Sequence, residues 1–440
     1  MSELRGDERR GFGMNVVGHV SSNLGLGVLA RNVVSVILSR GCPIRVLDVD
    51  PGMGRRGHDQ KFHAYTVGSL DELGYPVTLL VLPPDSIVQF FRDPKNQGVL
   101  SKRDGLNAAV MNWEQMVVPH EWSRVLEGLD VIVAPSAFTR NTFEGALPSV
   151  PAISTKVPLF LPADVRESRL RFGLSRDMVW FGSSFEPQSD PARKNPFGVL
   201  SAFGRAFSGR RDAGLVIRVN NATVDGRTHP GVEELRSRSR RDDRVRLIED
   251  PLDYQSVLSL YASLDVFVSL HRSEGIGLGL MEAMSLGKPV IATAWSGNMS
   301  FMNHSNACLA AYNLIPVRAS TWVYSARVLG KGAVWAEPDG DDAADWMRLL
   351  VERPDLRAAI GRKAAEDMRR YQEEAQCGMF IDELRAILDS QLLFGIGTKR
   401  RELRRMRLEQ CVLEERRLRR SWRATVRSLL GKLAFWRGRK

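Results

Sequence analysis

Residues 264–301, LDVFVSLHRSEGIGLGLMEAMSLGKPVIATAWSGNMSF, decide the reading of this chain. Leu264–Leu270 is apolar and rich in β-formers, so it reads as a buried strand, with Leu278–Leu286 as a helix and Pro289–Thr293 as the next strand. The result is a βαβ unit whose loop lies at the carboxyl end of a strand. Such loops bind ligands in parallel sheets, because the following helix presents unpaired N–H groups and a positive dipole end to the crevice. Gly275, Gly277 and Gly279 let backbone approach a ligand closely, and Gly287 suits the helix C′ position before Lys288-Pro289. Glu274 then falls in the loop and Glu282 inside the helix, both within reach of one crevice. Acceptor-only carboxylates beside an anion site suit a ligand rich in vicinal hydroxyls, and a nucleotide sugar supplies hydroxyls and diphosphate together.

Outward from this unit the alternation of strand and helix continues. Met14–Val20, Pro43–Val49, Val77–Leu82, Val110–Trp113 and Val131–Ala134 read as strands of a first half, with Val28–Leu38 at helical period. Proline punctuation and charge at Pro158–Asp164 mark a break. A second set of strands follows at Met178–Ser183, Leu215–Asn220, Val245–Ile248, Val266–Leu270, Val290–Thr293 and Ala307–Leu309. The prediction is an α/β protein of two doubly wound, Rossmann-like domains facing a central cleft. Residues 1–163 form the first domain, 164–375 the second, 376–397 a closing helix and 398–440 a basic helical tail. A chain of 440 residues has length for two such cores and an appendage.

Two further loops carry anion-binding character. In the loop 18–27, GHVSSNLGLG, Gly25 and Gly27 allow a backbone nest over a diphosphate, without the third glycine of a dinucleotide fingerprint; a purely structural tight turn is the alternative. Ser183 ends a strand that leads to Arg193-Lys194, two adjacent cations before a helix that Pro196 would start. Asp48-Val49-Asp50 reads as the start of a loop, and no metal site and no cofactor are expected.

The block HRSEG-x-G-x-x-x-x-E-A-x-x-x-G-K-P-V-I-A-T followed by SGN resembles the donor-binding signature of the retaining, GT-B-fold glycosyltransferases of family four, the group 1 glycosyltransferases. Ile276 stands where relatives usually carry an aromatic. The resemblance implies that Arg193 and Lys194 grip the donor diphosphate, that Glu274 positions the donor sugar, that Glu282 holds the ribose, and that His271 and Arg272 flank the pocket. It also implies an acceptor-side role for residues 1–163, donor binding for 164–375, and return of the closing helix at 376–397 onto the first domain. The stretch Asn112-Trp113-Glu114 with Pro119-His120-Glu121-Trp122 is similar to the acceptor-facing part of the family. Glu114 and His120 are therefore acceptor-side candidates, against a reading of the tryptophans as core and Glu114 as surface. The implied function is transfer of a hexosyl group with retention, a mannosyl group from GDP-mannose being the first guess, to a saccharide or lipid-linked acceptor in cell-surface polysaccharide synthesis. A nucleotide-sugar 2-epimerase and a non-catalytic sugar-nucleotide or nucleic-acid binder are the alternatives.

Charge separates body from tail. Of the net +11, residues 398–440 hold sixteen Lys/Arg against four Asp/Glu, which leaves the body at −1. Lys399–Arg420 alternates arginine clusters with leucines, and Trp422, Val426, Leu429, Leu433 and Trp436 recur at helical spacing. A basic amphipathic helix with tryptophans suits an anionic membrane surface, with a solvated or self-associating helix and adventitious nucleic-acid binding as duller readings. No specific nucleic-acid partner is expected. No apolar run reaches the length of a membrane span, the charged start lacks a signal core, and Cys42, Cys308, Cys377 and Cys411 are scattered. The expectation is a cytoplasmic protein, peripheral on the inner face of the membrane through its tail.

Overall fold

The computed structural model describes residues 12–52, 59–93, 95–96, 105–224, 226–318, 324–330 and 332–393. The first domain runs β1 (Met14–Gly18), α1 (Gly25–Ser39), β2 (Ile44–Asp48), β3 (Val77–Val81), α2 (Pro84–Arg92), β4 (Leu106–Val110), α3 (His120–Leu126), β5 (Val131–Ala134), α4 (Ala137–Ala146) and β6 (Ala152–Ser154). Its six strands are parallel in the order β2-β1-β3-β4-β5-β6. β1, β3 and β4 are buried along their whole length, so they are mostly apolar rather than alternating, each with one buried polar residue, Asn15, Thr78 and Asn107.

The second domain repeats the plan. It comprises β7 (Val179–Phe185), α5 (Pro191–Lys194), α6 (Pro196–Ala206), β8 (Ala213–Val219), a small hairpin of β9 (Thr223–Val224) and β10 (Arg227–Thr228), α7 (Pro230–Ser239), β11 (Val245–Ile248), α8 (Tyr254–Ser263), β12 (Val266–Ser269), α9 (Leu278–Ser285), β13 (Val290–Thr293) and β14 (Cys308–Ala310). The parallel order β11-β8-β7-β12-β13-β14 reverses direction between β7 and β12, the switch point where doubly wound sheets take ligands. The loops that follow β7 and β12 carry Arg193-Lys194 and Glu274. The fold class expected from sequence, two Rossmann-like domains about a cleft in the GT-B arrangement, is the one found.

Several features differ from the sequence reading, among them β6 and the β9–β10 hairpin, which it did not include. The strand expected at Val110–Trp113 lies earlier, at Leu106–Val110, with the Asp130 carboxylate accepting from the Asn107 backbone N–H at 2.7 Å near its start. An antiparallel pair, β15 (Tyr312–Pro316) and β16 (Val334–Pro338), with α10 (Ala326–Leu329) between them, was not anticipated. Tyr324 and Leu329 of this excursion belong to the apolar cluster of the first domain that contains Leu80, Ile87 and Trp113.

Helices α11 (Gly340–Glu352), α12 (Pro354–Gln376) and α13 (Met379–Leu393) close the described chain. From α12 the Tyr371 hydroxyl accepts from Val157 N at 3.0 Å and Gln372 Oε1 from Leu159 N at 2.6 Å, gripping the crossing between domains. Phe380, Ile381, Leu384 and Leu388 of α13 share a cluster with Val33 and Ile37 of α1, and Asp382 pairs with Arg40 at 2.9 Å. No described helix is long and apolar enough to cross a membrane. The basic tail at 398–440 lies outside the described residues.

Candidate active site

The turn bearing the two cations is built by two residues in left-handed conformations. Asp190, at φ 72°, caps the α5 turn by accepting from Ala192 N (2.8 Å) and Arg193 N (3.2 Å). Asn195, at φ 53°, donates to Leu270 O at 2.8 Å and accepts from Gly198 N at 3.1 Å, which ties the turn to the end of β12 and starts α6. Arg272 clamps the same turn from below. Its N–H donates to Arg193 O at 2.8 Å, its side chain reaches Ala192 O, and its guanidinium pairs two-pronged with Glu337 at 2.5 and 2.9 Å.

The SGN motif fixes the Glu274 loop. Ser296, held at φ 80° where a non-glycine residue is strained, accepts from Glu274 N through its hydroxyl at 2.8 Å, and Gly297 N donates to Glu274 O at 2.9 Å. His271 props this loop from inside the fold, with Nε2 at 3.1 Å from Asn298 Oδ1 and Nδ1 at 3.1 Å from Ser269 Oγ. Burial lowers its pKa, so the ring is neutral. From the other domain, Ser136 donates to Gly275 O at 2.8 Å and Ser273 to Glu114 O, so the loop is stitched across the domain junction. A Cβ on Gly297 would lie 1.9 Å from Gly275 O and 2.3 Å from Gly275 C, both backbone atoms that cannot yield without moving Glu274. Gly297→Ala is therefore expected to cost about 1–3 kcal/mol in a denaturant titration and to lower activity along with it. Wild-type stability in that variant would contradict this packing.

Between the domains lies a cleft of about 1050 Å³. Helices α1 and α9 both begin on it, and neither has its N-terminus capped by a side chain. They face one another: a Cβ on Gly25 would meet Leu278 at 4.0 Å. Gly277 at φ 90° turns the chain into α9. Two open helix N-termini converging on one space favour an anion there. In the same cleft Lys194 Nζ bonds Glu274 Oε1, and Arg193 lies 3.4 Å from Glu274 Oε2 and 3.7 Å from Glu114 Oε1. Tyr324 completes the group, its hydroxyl donating to Glu114 Oε2 at 2.9 Å and its ring lying under the Arg193 guanidinium at 5.5 Å and stacking on Trp113 at 5.6 Å. Burial alone would raise the Glu274 carboxyl; Lys194 and Arg193 outweigh it and hold the pKa at about 2. Burial lowers the Lys194 ammonium in turn. Glu282 contrasts, since burial lifts it to about 7 against the weaker pull of Tyr254 and Arg218.

Of the residues singled out from sequence, Glu274, Arg193, Lys194, Glu282, Gly25, Ile276, Gly277 and Glu114 line this cleft. Gly27, Ser183, His271, Gly275 and His120 do not. A Cβ on Gly27 would strike Ser22 O at 2.4 Å and one on Gly275 would strike Asn112 Oδ1 at 2.2 Å, so both glycines serve close packing behind the wall. Ser183 lies on the opposite face of β7 from Ser184, which does line the cleft, as strand alternation requires. His271 is buried and His120 is exposed at the start of α3, away from the cleft. Asp48 bonds Ser21 at 2.6 Å and Asp50 accepts from Gly52 N at 2.7 Å, so this acidic pair shapes a loop. Sequence reasoning missed Tyr324, Tyr254 and Arg218. Only Arg218 left a trace, as a charge in the middle of an apolar strand.

Residues 216–317, which include β12, the Glu274 loop, α9 and β13, match the family model for glycosyl transferases group 1. This part of the second domain is similar to the group 1 glycosyltransferases. Among curated relatives, the D-inositol 3-phosphate glycosyltransferase of Saccharomonospora viridis is 26% identical over 283 residues, covering 60% of this chain and 58% of the relative. The chain thus spans under two thirds of that relative's length. Among solved structures, Anabaena HepE in complex with UDP and glucose aligns over 86% of this chain and all of its own, at 13% identity and TM-score 0.55. Sucrose-phosphate synthase of Thermosynechococcus elongatus aligns over 86% of this chain and all of its own, at 12% identity and TM-score 0.59. At these identities the likeness is one of fold, and the fold is GT-B.

Proposed function

We propose that the protein transfers a hexosyl group, with retention of anomeric configuration, from a nucleoside diphosphate sugar to a hydroxyl of a saccharide or lipid-linked acceptor. The observation that carries this reading is the Lys194–Glu274 contact in the cleft on which α1 and α9 begin, with Glu282 in the same lining. An entering diphosphate competes with Glu274 for the Lys194 ammonium and takes up the open N–H groups of α9. Glu274, released and ionised, then accepts hydrogen bonds from the sugar's hydroxyls. As the glycosyl–phosphate bond breaks, negative charge grows on the leaving oxygen, where a fixed cation and a helix dipole stabilise it most. The acceptor attacks on the face the phosphate leaves, its oxygen bonding the anomeric carbon while its proton passes to the departing phosphate oxygen. Glu114, on the first domain and bonded to Tyr324, is placed to orient the acceptor. The fixed cations take the part a divalent ion plays elsewhere, so the reaction is metal-independent in this reading. Residues 398–440 would bring the enzyme to an anionic membrane surface where lipid-linked acceptors reside.

GDP-mannose is the first donor to try, beside UDP-glucose and ADP-glucose. The full chain should release free sugar slowly from one of them without acceptor, at a rate unchanged by EDTA. Failure to hydrolyse or bind any nucleotide sugar would overturn the function, and loss of turnover in EDTA restored by Mn²⁺ would overturn metal independence.

A further inference from the structure

The excursion from β15 through α10 to β16, most of it beyond the matched residues 216–317, belongs to the second domain by its root and to the first by its far end. Its two strands pair only with each other, so neither sheet holds it. At the root Ala336 N donates to Arg272 O at 2.9 Å, and Glu337 takes the Arg272 guanidinium that clamps the Arg193 turn. At the far end Tyr324, Leu329 and Ala333 are buried in the first domain's cluster with Leu80, Ile87 and Trp113.

Tyr324 carries this element to the cleft, where it grips two consecutive residues of the first domain. Its ring stacks on Trp113 at 5.6 Å with the planes 24° apart, and its hydroxyl donates to Glu114 Oε2 at 2.9 Å. The Arg193 guanidinium lies over the same ring at 5.5 Å and 3.7 Å from Glu114 Oε1, and Ser273 donates to the Glu114 backbone O. Three side chains of the second domain thus fix one residue of the first. Phenylalanine would serve packing alone; this buried ring gives its O–H to a carboxylate that lines the cleft. Burial raises the Tyr324 pKa well above the ordinary tyrosine range, so the hydroxyl stays a donor. A carboxylate has about four lone-pair sites, so Glu114 held in this way can still accept from a hydroxyl entering the cleft.

We propose that Tyr324 is a positioning residue: seated by the excursion, its hydroxyl holds the Glu114 carboxylate beside Arg193, so that Glu114 meets the attacking hydroxyl in the orientation the transfer needs. This rests on the transfer reading above and extends it to an element that reaches from the second domain into the first. A carboxylate left to swing would still accept from a hydroxyl without holding it against the anomeric carbon, and a misplacement of about 1 Å is enough to lower a rate severely.

The test is steady-state hydrolysis of GDP-mannose, UDP-glucose and ADP-glucose by the full chain, with water in the acceptor's place. For whichever donor is turned over, Tyr324→Phe, which keeps the ring on Trp113, should lower kcat about tenfold and leave the donor KM near that of the wild type. Glu114→Ala should lower kcat at least as far, and adding Tyr324→Phe to it should bring no further loss, because Tyr324 acts through that carboxylate. A tyrosine that only supported the fold would lose the same factor in both backgrounds and lower the denaturant midpoint with it. Wild-type kcat in Tyr324→Phe or in Glu114→Ala, a loss confined to donor KM, or equal losses with and without Glu114 would overturn the inference alone. The kcat and KM of Tyr324→Phe report even if Glu114→Ala folds poorly. Failure of all three donors to be hydrolysed would overturn it together with the transfer reading.

Discussion

Glu274→Gln is expected to lower turnover on the order of 100-fold or more while leaving the protein folded. The carboxylate is the point where the two halves of the proposed reaction meet. It bonds Lys194 directly, lies 3.4 Å from Arg193, and is kept ionised at about 2 by those cations despite its burial. Glutamine preserves the shape and the backbone bonds to Ser296 and Gly297 but cannot offer a charged acceptor to the sugar as the bond to phosphate stretches. An interaction that strengthens only in the transition state shows in kcat more than in KM. Alanine would be the less informative change, because it leaves Arg193 and Lys194 facing a hole and mixes lost stability with lost chemistry. Steady-state kinetics with the hydrolysable donor decide the matter, and wild-type kcat in Glu274→Gln would remove this residue from the mechanism.

Arg193→Met is expected to cost about 3–5 kcal/mol of stability, whereas Lys194→Met should cost far less stability and weaken nucleoside diphosphate binding instead. Adjacent in sequence, the two cations have different surroundings. Arg193 is 2% exposed and almost fully committed: Nε donates to Ser189 O at 3.1 Å, one terminal nitrogen to Ser273 O at 2.9 Å, and the other lies near Glu114 of the opposite domain. Burial works against its charge, and Tyr324, Glu114 and Glu274 overcome that and raise its pKa. Removing it leaves Glu114 without its cation and Glu274 with Lys194 alone at the domain junction. Lys194 has one carboxylate partner and a side chain still partly open to the cleft, so it is the cation free to change partners. Denaturant midpoints and diphosphate affinities for both variants separate the roles. A stable Arg193→Met that loses diphosphate binding, beside an unstable Lys194→Met, would reverse them.

The architecture was legible because β12, α9 and β13 announce themselves through an apolar run, a glycine-bounded helix and a β-branched run, and because the same alternation recurs on both sides of a proline-marked break. Glu274 and the cation pair were legible for a similar reason, since each lies on the stretch that follows a buried strand of a parallel sheet, and Glu282 was legible from its place inside the helix that comes next. Contacts set by tertiary packing left weaker marks. Tyr324 lies on an excursion whose strands pair only with each other, about 130 residues along the chain from Arg193, and nothing local signals that its hydroxyl reaches Glu114. His271 was read as donor-binding because it stands close to Glu274 in sequence, yet it lies just past the end of β12 with its ring buried, holding Asn298 inside the fold. Ser183 and Ser184 are separated by the same alternation.

The central claim is that one cleft seats a nucleotide sugar with its diphosphate on Lys194 and the start of α9 and its hexosyl group on Glu274. A crystal structure of the full chain with the nucleotide sugar that it hydrolyses measures this directly. The account predicts phosphate oxygens within hydrogen-bond distance of Lys194 Nζ and of the first N–H groups of α9, with sugar hydroxyls on Glu274. A donor seated elsewhere, or one bound in the cleft with its phosphates away from both Lys194 and α9, would contradict it.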